Sequence, residues 1–587
     1  MLTQETKRKI DSARQILVGK VPDPKAQVEQ ITTALIYKFM DDMDKEAIEL
    51  GGKARFFTSG FQKYAWTKLL DPKLGGHERL ELYGEAVARM SQNPHIPQLF
   101  RDIFKDAFLP YRSPETLTLF LKEINGFTYD HSEDLGNAFE YLLSILGSQG
   151  DAGQFRTPRH IIDFIVDVVE PKKGDTILDP ACGTAGFLIS AYKNILKQQK
   201  DKPLTPDEKK KLMNNLVGYD ISPDMVKLSK VNMYLHGFAE PKIFEYDTLS
   251  SEEKWDESFD VIMANPPFMS PSGGIRPHRR FSVQANRAEV LFVDYIKEHL
   301  RPNGRAGIIV PEGVIFKNDI AYKQLRKLLI EDGLYAIVSL PAGVFNPYSG
   351  VKTSVLFFDN QLTKKTDDIL FVRVLNDGFD LGAQRRKIDR DDIPFTIEVL
   401  KAQKIAIQTG NPNSLLQDKS LFAWTASKKE IAKDGDYNFS GDRYGRASHL
   451  EREKGAYTMV QLGELAELFT DGNWIESKDQ SPTGIRLIQT GNIGIGDYID
   501  KKAERARFIS EETFKRLGCT EVFPGDVLVS RLPDPVGRAC AIPDLGIRMI
   551  TAVDCTIIRF RKKIGFYPNT LLLFQRAIYI LVNWRSI

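Results

Sequence analysis

The chain has 587 residues, which at roughly 100–200 residues per domain suggests about three or four domains. Hydrophobic residues make up 42% and charged residues 27%, ordinary values that exclude disordered, collagen-like and low-complexity classes for most of the length. Lys+Arg is 80 against Asp+Glu 78, a formal net charge of +2, so bulk charge gives no argument for nucleic acid and any basic surface must be local.

The first residues, Met1 to Gly19, are charged and helical in pattern, without the apolar core of a signal peptide. Through about residue 150 the spacing predicts helices. Ile31, Leu35, Ile36 and Phe39 recur at helical intervals, followed by the acidic run Asp41–Asp44, and Leu80–Met90, Leu117–Ile124 and Ala138–Leu146 have the same character. No catalytic cluster stands in this region, which reads as a helical domain that packs beside something else. The longest apolar stretches, such as Gly307–Phe316 and Ala577–Val582, are far short of the ~20 residues that span a bilayer, so no membrane segment is expected. Cys182, Cys519, Cys540 and Cys555 form no CxxC pair. They are too scattered for a disulfide framework or a structural zinc site and fit a reducing cytoplasm.

From 151 to about 400 the texture changes. Thr176–Leu178, Leu216–Tyr219, Val261–Ala264, Ala306–Val310, Ala336–Leu340 and Ser354–Phe358 read as strands. Between them Ala185–Lys197, Ser222–His236, Ala288–Leu300 and Ala321–Glu331 read as helices. The alternation predicts an α/β fold with a parallel, doubly wound sheet that binds its ligands at the carboxyl ends of the strands. Residues 401–455 are polar and irregular and read as a connection. From 456 to 587, Gly and Pro punctuate short runs such as Ile485–Gln489, Val527–Ser530, Cys540–Ile542 and Thr556–Phe560, which predicts a separate β-rich domain.

Four elements carry chemistry. Asp179-Pro180-Ala181-Cys182-Gly183-Thr184 stands where a strand ends and a helix begins. Glycine there lets the backbone approach a ligand, and Asp179 is placed to hold a cationic or amino group. Asp220, at the tip of the next strand, can accept both hydrogen bonds of a ribose diol. It lies 37 residues beyond Gly183, and the Lys-rich stretch Lys197–Lys211 reads as an insertion that accounts for the length. Asp247 follows the next short strand and can accept from an adenine amine. No GxxxxGK[ST] element is present, so phosphate cradling is not proposed.

The sharpest element is Asn265-Pro266-Pro267-Phe268, after Phe259-Asp260-Val261-Ile262-Met263-Ala264. An exocyclic ring amine is a poor nucleophile because its lone pair is delocalised into the ring. Two acceptors that bond both amine protons draw the nitrogen toward a tetrahedral shape and free that pair. The Asn265 side-chain oxygen and the Pro266 carbonyl can be those acceptors. The prolines stiffen the turn, and Phe268 can stack on a base, a contact worth roughly 1–3 kcal/mol.

This ordered set resembles the S-adenosylmethionine-dependent methylation (modification) subunit of type I restriction–modification systems, across most of residues 1–400. Further matching segments are Gly304 through Phe316 and Leu340 through Ser354. The resemblance implies a Rossmann-like methyltransferase core behind an N-terminal helical domain, and S-adenosyl-L-methionine as cofactor. Asn265, Pro266, Pro267 and Phe268 then form the catalytic tetrad, with Asp179 through Thr184, Asp220 and Asp247 around the cofactor. Gln154, Phe155, Thr157 and Pro158 match the segment that closes over the cofactor's methionine end, although Arg156 stands where that family usually has an aromatic residue.

The C-terminal region is similar to one target-recognition domain of a type I specificity subunit. The similarity rests on Met459-Val-Gln-Leu-Gly-Glu-Leu, Gly491-Asn-Ile, Phe508-Ile-Ser, Phe523-Pro-Gly-Asp-Val-Leu-Val-Ser-Arg and Gly537-Arg-Ala-Cys. Arg505, Arg507, Arg531 and Arg538 are its candidate DNA contacts. A complete specificity subunit carries two such domains, each followed by a long helix. Here one domain ends at Leu581-Val-Asn-Trp-Arg-Ser-Ile, which reads as a natural fusion or one cut short, with three alternatives: it recognises half a site, needs a partner, or is inactive on its own. Asp471 with Glu476 and Lys478 has a faint nuclease pattern, but its spacing reads as a turn.

The function expected is transfer of a methyl group to adenine N6 in double-stranded DNA; the tetrad alone leaves cytosine N4 open. The partners expected are a specificity subunit, a second modification subunit and a separate ATP-dependent restriction subunit. The alternatives are a protein glutamine methyltransferase and a DNA-binding scaffold with an idle core.

Overall fold

A computed structural model describes residues 4–105, 107–127, 136–142, 157–268, 275–346, 349–382, 385–410, 422–444, 465–494, 497–500, 506–531 and 538–561. Two compact units divide the chain, Met1–Leu450 and Glu451–Ile587.

In the first unit, residues 4–127 are helical, as the spacing predicts. Helices Gln4–Leu17, Pro24–Glu49, Gly76–Met90, Gln98–Phe104 and Pro114–Asn125 enclose a core containing Tyr37, Trp66, Tyr83 and Phe104. Their neighbour is the helix Pro223–Leu235, whose Leu228, Val231 and Leu235 belong to the same core. Phe100 meets Tyr234 ring to ring at 4.8 Å, and Lys227 Nζ donates to the Ile103 carbonyl at 3.2 Å. The helical region thus grips the element that begins just past Asp220.

The rest of the first unit is built on a nine-stranded sheet. Its strands are β1 (Ile177–Asp179), β2 (Leu216–Asp220), β3 (Lys242–Glu245), β4 (Phe259–Ala264), β5 (Leu300–Pro311), β6 (Leu334–Ser339), β7 (Thr353–Asp359), β8 (Asp368–Arg373) and, after a hairpin of β9 (Asp377–Phe379) and β10 (Lys387–Asp391), β11 (Ala423–Ser427). The spatial order is β11-β8-β6-β7-β5-β4-β1-β2-β3. β3, β2, β1, β4 and β5 are mutually parallel, as expected. β7 runs against both β5 and β6, and β11 runs against β8, so the sheet is mixed rather than wholly parallel. All of β7 is buried, and a run apolar on both faces looks the same in either direction.

The stretch 401–455, read as a connection, supplies that ninth strand. Its short polar sequence hid it, because an edge strand needs only one protected side. Phe439 and Tyr444 beyond it join the core on one sheet face.

Close packing brings the helix Arg159–Val169 onto the other face. A Cβ at Gly307 on β5 would lie 2.5 Å from Ile165 and 3.1 Å from Val169. Gly307→Val is therefore expected to destabilise the first unit by about 1–3 kcal/mol, read as a lower urea midpoint at unchanged slope.

The second unit holds a four-stranded sheet, Ala466–Asp471, Cys555–Phe560, Val527–Ser530 and Ala539–Ala541 in spatial order, and a five-stranded sheet centred on Ile485–Ile488. The β-rich expectation for this region agrees with these sheets. Residues 459–464 and 562–587 lie outside the described residues, and with them most of the Met459 motif and the terminal heptapeptide.

Candidate active site

Because β4, β1, β2 and β3 are adjacent and parallel, their carboxyl ends share one edge. Asp179 and Asp220 end their strands there, and Asn265 and Asp247 follow theirs. Elements up to 86 residues apart in sequence (Asp179 to Asn265) thereby face one site.

The turn after β1 is sharply bent. Gly183 and Ala185 have φ of 52° and 63°, and the second is a strained value for a residue with a side chain. A Cβ added at Gly183 would meet nothing within 4 Å, so glycine leaves an open floor. The Pro180 carbonyl accepts from Thr248 Oγ1 and the Thr184 carbonyl from Asn232 Nδ2, both at 2.8 Å. Those bonds hold the turn from two sides, while Ala181 N donates to Asp179 Oδ1 at 3.2 Å. Cys182 is buried, and its Sγ lies 3.0 Å from where a Cβ on Gly218 would stand. Burial pushes its thiol up, with Asp179 and Asp220 adding to the rise. Cys182 is a protonated packing residue rather than a nucleophile.

Asp220 ties two turns together. One oxygen accepts from the Gly183 N–H and the other from the Ser222 N–H, each at 2.9 Å. Burial raises its carboxyl above the usual range although both N–H groups oppose the shift. Asp179 is 2% exposed. Burial pushes its carboxyl up to about 8 against the pull of the Ala181 N–H, and Asp220 adds to the rise. A buried carboxyl and a half-buried one at an open backbone turn suit a ligand that carries positive charge. Asp247 is differently employed: its Oδ1 accepts from the N–H groups of Leu249 (3.0 Å) and Ser250 (3.2 Å), and its Oδ2 from the Ser250 hydroxyl. It caps its own turn, so an adenine amine would compete with three local donors.

The decisive geometry is at Asn265. Its Nδ2 donates to Thr157 Oγ1 at 2.9 Å, while its Oδ1 is buried without a hydrogen-bond partner among the described residues. A buried amide oxygen left unpaired costs free energy and marks an acceptor waiting for a donor. In this orientation Thr157 takes the amide NH₂ and leaves the oxygen toward the site; the opposite flip would point an NH₂ there. Pro266 is buried, Pro267 exposed and Phe268 half-buried. Phe268 meets Phe345 edge to face with centroids 6.4 Å apart, so two aromatic rings adjoin the tetrad.

Thr157 and Pro158 stand at the start of the helix Arg159–Val169. Gln154 and Phe155 lie outside the described residues. Sequence spacing missed the brace behind this helix. The fully buried Asp377 carboxylate accepts from His160 Nε2 at 2.9 Å and pairs with Arg385. Burial works against its charge, but His160 and Arg385 hold the carboxyl below its usual range. His160 also lies 4.5 Å from the Phe379 ring. The β9–β10 hairpin is thus fastened next to Thr157, and Asn346 Nδ2 reaches the Leu381 carbonyl at 2.6 Å. The one available signal was the placement of His160 directly after the Thr157-Pro158-Arg159 motif.

In the second unit, Arg531 pairs with Asp471, whose other oxygen accepts from Thr556 Oγ1 at 2.8 Å. Lys478 pairs with Glu476 at 2.7 Å. Asp471 ends the strand Ala466–Asp471 rather than lying in a turn, and it is neutralised within its own fold. Arg507 is exposed, Arg538 Nε is buried without a partner among the described residues, and Arg505 lies outside them. Among the described residues no group of three or more His, Cys, Asp or Glu can hold a metal ion, and no helix is long and apolar enough to cross a membrane.

Residues 130–453 match the N-6 DNA Methylase family. The chain belongs to that family. The type I restriction enzyme EcoEI methylase subunit of Escherichia coli is 35% identical over 266 residues, 44% of this chain, and the match spans only about half (53%) of that relative's length. The EcoKI methylase subunit of Escherichia coli K12 is 26% identical over 454 residues, covering 73% of this chain and 82% of the relative.

Among solved structures, a chain from a study of complex assembly and conformational transition of a type I restriction–modification system superposes with a TM-score of 0.59 at 26% identity, covering 77% of this chain and 96% of that one. The type I methyltransferase subunit from Streptococcus thermophilus shares the fold, with a TM-score of 0.58 at 20% identity over 76% of this chain and 99% of that one. This N-6 DNA methylase therefore carries the family's core, with the helical region before it and a second unit after it.

Proposed function

We propose that this chain is the modification component of a type I restriction–modification system and transfers a methyl group from S-adenosyl-L-methionine to adenine N6 in DNA. The observation that carries the proposal is the buried, unpartnered Asn265 Oδ1, oriented by Thr157 at the edge where Asp179 and Asp220 also lie. The residues present fit the cofactor: an open turn at Gly183 and two carboxyls, Asp179 and Asp220, whose ionised forms a cation favours. When bound, S-adenosylmethionine supplies an electrophilic methyl on a sulfonium centre.

The chain's own residues do the rest. Asn265 Oδ1 accepts one amine proton and the Pro266 carbonyl the other, which frees the nitrogen lone pair. Phe268 stacks on the ring. The base must leave the duplex to reach them, at a cost of a few kcal/mol. Positioning and fixed dipoles supply the rate, and no general base is needed before attack.

Thr157→Val removes the hydroxyl that orients the Asn265 amide. It is expected to lower kcat about 10-fold or more, while Thr157→Ser retains most of it. Single-turnover transfer by the two variants checks this.

Relatives named as type I methylase subunits support a specificity subunit, a second modification subunit and a separate ATP-dependent restriction subunit as partners. The test is transfer of labelled methyl to plasmid DNA, with and without a specificity subunit, followed by nucleoside mass spectrometry. N6-methyladenine supports the proposal. N4-methylcytosine, label confined to protein, or DNA retention without transfer overturns it.

A further inference from the structure

The segment just beyond the tetrad is the most one-sided stretch of charge near the site. Residues 275–287 contain Arg276, Arg279, Arg280 and Arg287 and no Asp or Glu. It is held firmly. Phe281 and Val283 are 4% and 1% exposed, the Val283 N–H donates to Asp294 Oδ2 at 2.9 Å, and the His278 N–H donates to the Leu249 carbonyl at 3.1 Å. Arg280 is used structurally, paired with Asp256 at 2.6 Å and lying over Trp255. Arg276, Arg279 and Arg287 are exposed, and none forms an ion pair among the described residues. Three arginines on a pinned backbone, with no ion-pair partner among the described residues, form a surface prepared for anions.

Arg287 lines a cleft of about 580 Å³, with Pro277 and Asn286 on the same lip and Asp319, Tyr322 and Gln324 on the other; Arg276 directly precedes Pro277 in the chain and Arg279 follows it by two residues. Its place follows from topology. The helix Ala288–His299 joins β4 to β5, and the helix Ile320–Glu331 follows β5 and leads to β6. β6 pairs antiparallel with β7, which pairs antiparallel with β5, so β5 and β6 share a direction. Both helices therefore begin at the carboxyl-end edge, the edge that carries Asn265. Asp319 is the single acidic residue among the cleft's lining.

We propose that this cleft and its arginines grip the phosphate backbone of DNA beside the displaced base. The inference rests on the DNA methyltransferase reading and adds where the strand is held. A base swung into the Asn265 pocket leaves its flanking phosphates at the surface. Arg276, Arg279 and Arg287 meet those phosphates without reading sequence, while Asn286 and Gln324 add neutral donors.

The test uses the full-length chain with a short fluorescein-labelled duplex, by anisotropy across a series of NaCl concentrations. Each phosphate contact contributes about 0.9 to the slope of log affinity against log salt. The triple variant Arg276→Gln/Arg279→Gln/Arg287→Gln is expected to lose about 2–3 from that slope and to bind at least about tenfold more weakly at moderate salt. S-adenosylmethionine binding by calorimetry stays unchanged, which shows that the variant is folded.

Asp319→Asn, which removes the one opposing charge, tightens binding. Lys209→Gln/Lys210→Gln lies on the helix Pro206–Asn214 that enters β2 from the opposite edge, and it leaves the slope as it was. A triple variant that matches the wild-type slope and affinity overturns the cleft while leaving the methyltransferase reading intact. A wild-type chain with no salt-dependent DNA binding removes both.

Discussion

Asn265→Ala lowers methyl transfer by about 10²–10³-fold and leaves S-adenosylmethionine affinity within about twofold. The side chain's Oδ1 is buried with no partner among the described residues, and its Nδ2 is committed to Thr157. Only the oxygen can face an incoming amine. Removing it deletes an acceptor whose bond strengthens as the amine nitrogen becomes tetrahedral, so the loss falls on the chemical step rather than on binding. The carboxylates assigned to the cofactor in the proposal, Asp179 and Asp220, sit on neighbouring strands and keep their own partners. Single-turnover transfer of a labelled methyl group, with calorimetric titration of the cofactor on the same protein, separates the two quantities. A full-rate variant, or one whose defect lies wholly in cofactor affinity, removes the role assigned to Asn265.

Asp179→Asn has opposite effects on stability and on binding. Burial holds the Asp179 carboxyl near about 8 in the folded chain, far above the ~3.9 of an exposed aspartate. The folded state therefore keeps the proton longer than the unfolded state does. The stability this group contributes is complete at low pH, declines once the unfolded form ionises, and is lost as pH rises through about 8. An asparagine does not ionise. The variant's melting temperature is expected to exceed the wild type's by a margin that grows as pH rises toward 8 and is constant above it.

Binding runs the other way. A cationic ligand holds Asp179 ionised, so wild-type S-adenosylmethionine affinity rises with pH until about 8, with release of a proton, whereas the Asn variant loses that pH dependence. The variant is also expected to bind at least about 10-fold more weakly. Thermal melts across the pH range, and calorimetry in two buffers of different ionisation enthalpy, measure both. A melting difference that does not change with pH contradicts the assignment.

Much of the core was legible because it is buried on both faces. The runs Thr176–Leu178, Val261–Ala264 and Ala306–Val310 anticipate β1, β4 and β5 since a strand covered by helices on each side carries little polar alternation. β11, Ala-Trp-Thr-Ala-Ser, is a half-exposed edge strand and had no such signal. The tetrad, the Asp179 turn and Asp220 were legible for a second reason: each is a local motif at a strand end, and parallel strands bring their ends to one edge. Asp247 had the right position, yet its carboxylate closes its own turn, a use that only the hydrogen bonds reveal.

By itself the amino-acid order determined the fold class, the succession of regions and the side chains that carry chemistry, because these depend on short-range periodicity and on residue types at strand ends. Only the tertiary structure decided how those side chains are aimed. Thr157 orients Asn265 from 108 residues away, and Asp377 braces His160 across 217. Such pairings leave no trace in spacing, since the chain between them is free to vary while the sheet alone sets the distance. The same holds for the arginine cleft: its two lips come from separate crossovers, and only the common direction of β4, β5 and β6 places them on the edge where Asn265 stands.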